Sequence, residues 1–343
     1  MNFEIKHWLT SFALASASLA THAALVATPL GPFAHLDDAY SATLFSLGNQ
    51  GSVGVAFDPT GHVLRSDGGN GIYVHSLAAD TTVNGTNTLH SSTLVQVTGV
   101  GFSGYGIALG NDGFIYHNSS AGLIKIDPVT YIGTAVAGTS AGYYGMKKLP
   151  NGKLVYNATS PDSSYVRVYD PSSGIDTVVY SSGTFNDDIA VTPEGYLVVA
   201  ALGACRTDIV TEAGVVLNTI TTAHCADGMA YGQGHIYKNN TDGTLTRLTF
   251  GGANYSGVIT EDVIADGFSY GDLAAVGPDG AFYMNVSRAK FADGSFAGAW
   301  ALVRVELVGG GGFGGDVPEP ASAALALLAL GGLAAARRRK SFF

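Results

Sequence analysis

Four aspartates fall at recurring places in this chain: Asp187 and Asp188, Asp227, and Asp272. Carboxylates brought to one opening can hold a divalent cation or a polar ligand, and His224 would add a nitrogen donor to the set. The competing role for such an aspartate is local. Beside a strand start it commonly accepts hydrogen bonds from nearby backbone N–H groups. No Gly-x-Ser-x-Gly elbow, zinc-spaced His/Cys cluster or phosphate-binding loop accompanies them. The sequence therefore names a place for chemistry and no catalytic residue.

What must position these residues is a repeat. Its copies start at Gly54-Val55-Ala56, Gly106-Ile107-Ala108, Gly145-Met146-Lys147, Asp188-Ile189-Ala190, Gly228-Met229-Ala230 and Asp272-Leu273-Ala274. Each leads into a turn ending on a glycine, namely Gly61, Gly113, Gly152, Gly195, Gly234 or Gly280. Glycine supplies the positive φ that tight hairpins demand. β-rich runs follow, such as Phe114-Ile115-Tyr116 and Ala281-Phe282-Tyr283. A glycine-to-glycine step of roughly 40–50 residues, with four short strands in each, is the spacing of a propeller blade. The expected fold is all-β, a six-bladed β-propeller. First strands converge on the axis, which explains the small residue in each; Lys147 is the exception.

The last repeat holds only three obvious strands, so Ala42–Leu47 is expected to complete it and close the ring. Residues 77–92 and 286–298 read as polar surface excursions. In a propeller the links between blades and the turns from second to third strand share one face. That face is expected to carry Tyr105, His117, Tyr143, Tyr144, Asn157, Asp187, His224, Asp227, Asn239 and Tyr270. From it, His117, Tyr144, Asp187, His224 and Asp227 are the candidate ligand-binding residues. Cys205 and Cys225 are the only cysteines, and both fall on this face, on neighbouring blades four and five. In an exported chain such a pair predicts a disulfide.

Composition narrows the class. Charged residues make up 13% of the 343, and hydrophobic content is ample for one large β domain, residues 24–308. The formal net charge is −10, and five of the 17 basic residues lie near the chain ends. An acidic globule repels phosphate backbones, so a nucleic-acid partner is excluded.

Both ends carry sorting features. Residues 1–23 read as a signal peptide: Lys6, an apolar run from Trp8 to Ala20, and small Thr21 and Ala23 before the expected cut. Residues 309–316 form a glycine-rich linker. Val317-Pro318-Glu319-Pro320 follows, then an apolar run 321–336, expected as a membrane helix, and the basic cluster Arg337-Arg338-Arg339-Lys340, expected on the cytoplasmic side. This three-part segment, 317–340, resembles the PEP-CTERM sorting signal of Gram-negative bacteria. The resemblance implies export, a stay at the inner membrane until an exosortase processes the tail, and an association with exopolysaccharide and biofilm at the cell surface.

The middle of the chain resembles six-bladed propellers of the NHL, SMP-30/gluconolactonase and streptogramin-lyase-like kind, through its Gly-x-Ala and Asp-Gly-x-hydrophobic-Tyr repeats. Some of those bind a divalent ion in the channel and act as lactonases or lyases. The first repeat here enters with Gly51-Ser52-Val53 and offers no acidic ligand, so no catalytic residue is carried over. Two functions are expected to compete. One is a non-catalytic surface module without a cofactor that binds a glycan (an exopolysaccharide) or a surface protein. The other is a metal-dependent lactonase or lyase using Asp187, Asp227, Asp272 and His224.

Overall fold

A computed structural model describes residues 32–48, 54–69, 71–83, 87–159, 162–252, 255–256, 259–289, 295 and 300–308. The expected signal peptide, glycine linker and sorting helix, and most of the 286–298 excursion, lie outside the described residues.

Six antiparallel sheets form the blades. Blade 1 contains Gly54–Phe57, Val63–Ser66, Gly71–His75 and Ser92–Gln96; blade 2 contains Ile107–Leu109, Ile115–Ser119, Gly122–Ile126 and Gly133–Ala135. Blade 3 contains Gly142–Lys148, Leu154–Ala158, Tyr165–Asp170 and Ile175–Ser181; blade 4 contains Ile189–Val191, Leu197–Ala201, Arg206–Val210 and Val216–Thr221. Blade 5 contains Ala226–Gly232, His235–Asn240, Thr244–Phe250 and Ile259–Asp266; blade 6 contains Tyr270–Val276, Phe282–Ser287 and Trp300–Leu307.

The fourth strand of blade 6 is Tyr40–Leu47, which runs antiparallel to Trp300–Leu307 with Ala42 opposite Val305 and Leu44 opposite Val303. This closes the ring as the sequence requires. A fifth strand, His35–Leu36, adds to the outer edge of blade 5 through Asp266 and Ala265. A strand of two residues carries no periodicity, so it is not legible in the chain. Within the 77–92 excursion, Thr81–Val83 and Asn87–Leu89 pair as a small hairpin.

The six turn glycines all take positive φ, between 74° at Gly280 and 93° at Gly61. Five of those turns close with a backbone bond of the kind Gly113 N–H makes to the Gly110 carbonyl, at 3.1 Å. In the sixth, Gln233 and Gly234 both have positive φ between paired Gly232 and His235, which is a two-residue hairpin.

Apolar cores lie between neighbouring blades. Leu64 and Ile72 of blade 1 pack with Ile107 and Ile115 of blade 2. At the closing seam, Phe45 packs with Val55, Val63, Tyr283 and Leu302. Each such buried side chain is worth about 1.5–3 kcal/mol, so cohesion is spread around the ring. The first-strand alanines Ala56, Ala108, Ala190, Ala230 and Ala274 are all buried.

Cys205 and Cys225 form the expected disulfide, with a Cα–Cα distance of 4.5 Å across a separation of 20 residues. It ties the turn between blade 4's second and third strands to the entry of blade 5. Replacing both cysteines by serine is expected to lower the unfolding free energy by about 3 kcal/mol, read as a shift of the denaturant midpoint. An unmoved midpoint would show that the bridge adds nothing to the stability of the ring.

Candidate functional site

The site is built at the link face, where each first strand begins. Two successive positions recur there. The outer one is Tyr105, Tyr144, Asp187, Asp227 and Gly271 in blades 2 to 6. The inner one is Gly54, Gly106, Gly145, Asp188, Gly228 and Asp272 in blades 1 to 6. The inner glycines are required by close approach. A Cβ at Gly106 would lie 2.0 Å from the Tyr144 carbonyl oxygen, and one at Gly228 would lie 2.2 Å from that of Asp272.

Local irregularities aim the outer side chains. The pairing register slips between Gly142 and Met146, between Ala226 and Gly228, and between Gly271 and Ala274. Tyr143 and Tyr144, Asp227, and Asp272 stand in those slips. An extra residue in a strand re-aims its side chain, and such bulges gather beside functional sites.

A ladder of side-chain amides joins the blades beneath. Asn118 Nδ2 donates to the Tyr144 carbonyl at 3.0 Å, Asn157 Nδ2 to that of Asp187, and Asn239 Nδ2 to that of Asp272 at 2.7 Å. Ser66 makes the corresponding bond to the Tyr105 carbonyl. Blade 4 has Ala200 at this position, and Asp188 takes over the link there. Its Oδ2 accepts from Met229 N–H of blade 5 at 2.9 Å, and its Oδ1 accepts from Ile189 N–H at 2.8 Å. Lys147 of blade 3 donates to Oδ1 at 2.9 Å. The residue that breaks the small-residue pattern therefore sits in register, opposite Val155, and serves as the counter-ion of a wholly buried carboxylate.

The mouth has two unlike halves. Blades 4 to 6 supply Asp187, Asp227 and Asp272, with Asp187 and Asp227 buried. Burial, followed by the charge of Asp227, holds the Asp187 and Asp272 carboxyls well above the usual carboxylate range. Burial pushes Asp227 up to about 6. Asp187 and the Tyr270 hydroxyl interact with Asp227, yet Asp227 Oδ2 has no hydrogen-bond partner. The buried Arg65 guanidinium favours the charged form of Asp272.

Blades 2 and 3 supply aromatic rings. Tyr105 and Tyr143 meet edge to face at 4.9 Å, Tyr143 and Tyr144 at 5.1 Å, and Tyr144 and Phe185 at 4.8 Å. Across the mouth, Tyr270 packs on Trp300 at 6.2 Å. Burial, then the Asp187 charge, raises the Tyr144 phenol, and burial, then the Asp227 charge, raises that of Tyr270.

Of the candidate binding residues, the fold brings together Tyr144, Asp187 and Asp227. His224 is held elsewhere: its Nδ1 lies 2.6 Å from Asp242 Oδ2 beside the blade 5 turn, so the expectation that it joins the carboxylates is corrected. His117 is wholly buried, stacked on Phe102 at 3.8 Å with Nε2 3.1 Å from the Ser103 carbonyl, and burial lowers it to about 4. It lines no surface, because the second strand turns alternate residues into the contact between blades. Sequence reasoning missed Tyr270's partnership with Asp227, the role of Lys147 and the amide ladder. The ladder had a signal: Asn118, Asn157 and Asn239 each lie five residues past a turn glycine.

The divalent cation that the metal-dependent alternative would use does not fit this arrangement. Among the described residues no three His, Cys, Asp or Glu groups are placed to hold a metal ion. Both Asp188 oxygens are engaged, one by an ammonium, and Asp272 Oδ1 accepts from Leu273 N–H at 2.8 Å.

No curated protein sequence matches the chain. Residues 316–340 match the PEP-CTERM protein-sorting motif, which implies export and processing by an exosortase. Solved structures similar to this one are also propellers. The PQQ-bound aldose sugar dehydrogenase from Streptomyces coelicolor is 15% identical with a TM-score of 0.54, covering 82% of this chain and 100% of its own. A catalytically inactive virginiamycin B lyase from Staphylococcus aureus with quinupristin is 16% identical with a TM-score of 0.54, covering 78% and 100%. The calcium-binding regucalcin from Agrobacterium tumefaciens is 15% identical with a TM-score of 0.54, covering 77% and 91%. At these identities the likeness is one of fold. The chain is thus a six-bladed β-propeller with neighbours in the SMP-30/gluconolactonase-like group, and it carries a PEP-CTERM sorting motif.

Proposed function

We propose that this protein is an exported envelope enzyme that performs acid–base chemistry on a hydroxyl-bearing substrate at the link-face mouth, in the manner of a lactonase or lyase. The observation that carries this reading is the carboxyl group at Asp187 beside that at Asp227, in a buried setting faced by Tyr144 and Tyr270. Neighbouring carboxyls with different proton affinities provide a general acid and a general base in one place. Asp187, which burial and the Asp227 charge hold well above the usual carboxylate range, carries the proton to be given. Asp227, ionised above about 6, accepts one. Tyrosine hydroxyls orient the substrate, and the aromatic half covers its apolar face.

The sorting tail supports a location. The described chain leaves the propeller at Val308, whose N–H bonds to the Ala39 carbonyl at the glycine-turn face. A tail held in the inner membrane before processing would leave the carboxyl mouth facing away from it. Release to the cell surface would follow exosortase cleavage.

The test is turnover of lactones and of saccharides by the full-length protein in detergent, with Asp187→Asn as the control. The reading expects a bell-shaped pH profile, and a loss of about 10²–10⁴-fold in kcat on the substitution. Saccharide binding with no turnover would instead support the non-catalytic glycan-binding module, which the aromatic arc from Tyr105 to Phe185 favours.

A further inference from the structure

The charges around the mouth do not balance, and the imbalance describes the ligand. Asp188 has the Lys147 ammonium at 2.9 Å, and Asp272 has the Arg65 guanidinium as its favourable charge. The Asp187 and Asp227 carboxyls have no cation of their own among their interactions. The groups acting on Asp227 are Asp187, Asp188 and the Tyr270 hydroxyl, and Asp227 in turn acts on Asp272 and Tyr144. Two positive charges are therefore missing from this set, and in the free protein a proton held by the pair supplies one of them. One further acceptor points to the same place. Asp227 Oδ2 belongs to a residue only 2% exposed, yet it accepts no hydrogen bond. A buried acceptor without a donor carries a penalty that a donor-bearing ligand relieves.

Resting on the reading above, we infer that the mouth takes a saccharide bearing a free ammonium group, seated against Asp227 and the neighbouring tyrosine rings. An ammonium brings three donors and one positive charge, which are the two things this place lacks. The Tyr144 and Tyr270 hydroxyls, next to the carboxyls, add oxygen acceptors for the remaining ammonium donors. An N-acetylated sugar brings one donor and no charge, and a uronate brings the wrong charge. The ammonium supplies the second charge against the ionised Asp227, and the proton stays on Asp187, where the acid–base reading needs it.

Titration calorimetry of the full-length protein in detergent, using a glucosamine trisaccharide and its N-acetylated counterpart, tests this. Free amine is expected to bind at least about tenfold tighter than the acetylated form, in keeping with a desolvated charge pair. At pH 7 to 8, heats measured in buffers of differing ionisation enthalpy should agree, because the proton stays on Asp187. Asp227→Asn should erase the preference while leaving a folded protein. Equal binding of the two sugars, or an amine preference that survives Asp227→Asn, would overturn the inference and leave the saccharide reading standing. Absence of binding by either sugar, together with no turnover of any saccharide, would overturn both.

Discussion

Asp188→Ala is expected to lower the unfolding free energy by about 3–5 kcal/mol, the range for removing one partner of a buried ion pair. The carboxylate is wholly buried and joins four blades: Lys147 from blade 3, its own Ile189 in blade 4, Met229 from blade 5 and, at 3.4 Å, Ala274 from blade 6. Alanine takes the side-chain acceptor from three backbone N–H groups, those of Ile189, Met229 and Ala274, and each buried group left unsatisfied costs about 1–3 kcal/mol. The Lys147 side chain is 18% exposed and can regain water, so it contributes the smaller share. A double-mutant cycle with Lys147→Met separates the two. A coupling of about 1–3 kcal/mol is expected between contacting charged groups. Asp188→Ala with an unchanged denaturant midpoint would show that the axis is not held together in this way.

The second large effect has the opposite sign. Asp227→Asn is expected to make the protein more stable at pH 7. The folded state raises the Asp227 carboxyl from 3.8 to about 6, chiefly by burial. A raised carboxyl pKa means that folding favours the protonated form. The stability it contributes is present in full below the unfolded value, and it is lost as pH rises through the folded one. At pH 7 the wild-type protein has lost that contribution, an amount of about 3 kcal/mol for such a shift. Asparagine cannot ionise and keeps it. Unfolding curves between pH 4 and 8 should therefore converge at the acid end and separate toward neutrality. A residue that weakens the fold under working conditions is one that function, not packing, keeps in place.

Much of the architecture is legible in the sequence because its causes are local. A hairpin of this tightness needs positive φ, so the glycines at 61, 113, 152, 195, 234 and 280 mark one rim of the ring. The missing fourth strand of blade 6 is a deficit that only the early chain can fill, and Tyr40–Leu47 fills it. The disulfide follows from two cysteines on adjacent blades. The site is less legible because its causes are not local. Whether His224 meets the carboxylates depends on the side-chain direction, and Asp242 in the next turn holds it instead. His117 occupies a position whose neighbours alternate between mouth and core, and its ring goes to Phe102. Lys147 looks like a flaw in the repeat until its partner, 41 residues on, is seen to be Asp188.

At the centre of the site stands a carboxyl pair that retains a proton where isolated aspartates would not. Carbon-13 NMR titration of the aspartate carboxyls reads this directly. Asp227 is expected to titrate near 6, and Asp187 above the usual carboxylate range, each midpoint moving when the other residue is changed to asparagine. Two independent titrations near 3.8 would contradict the account.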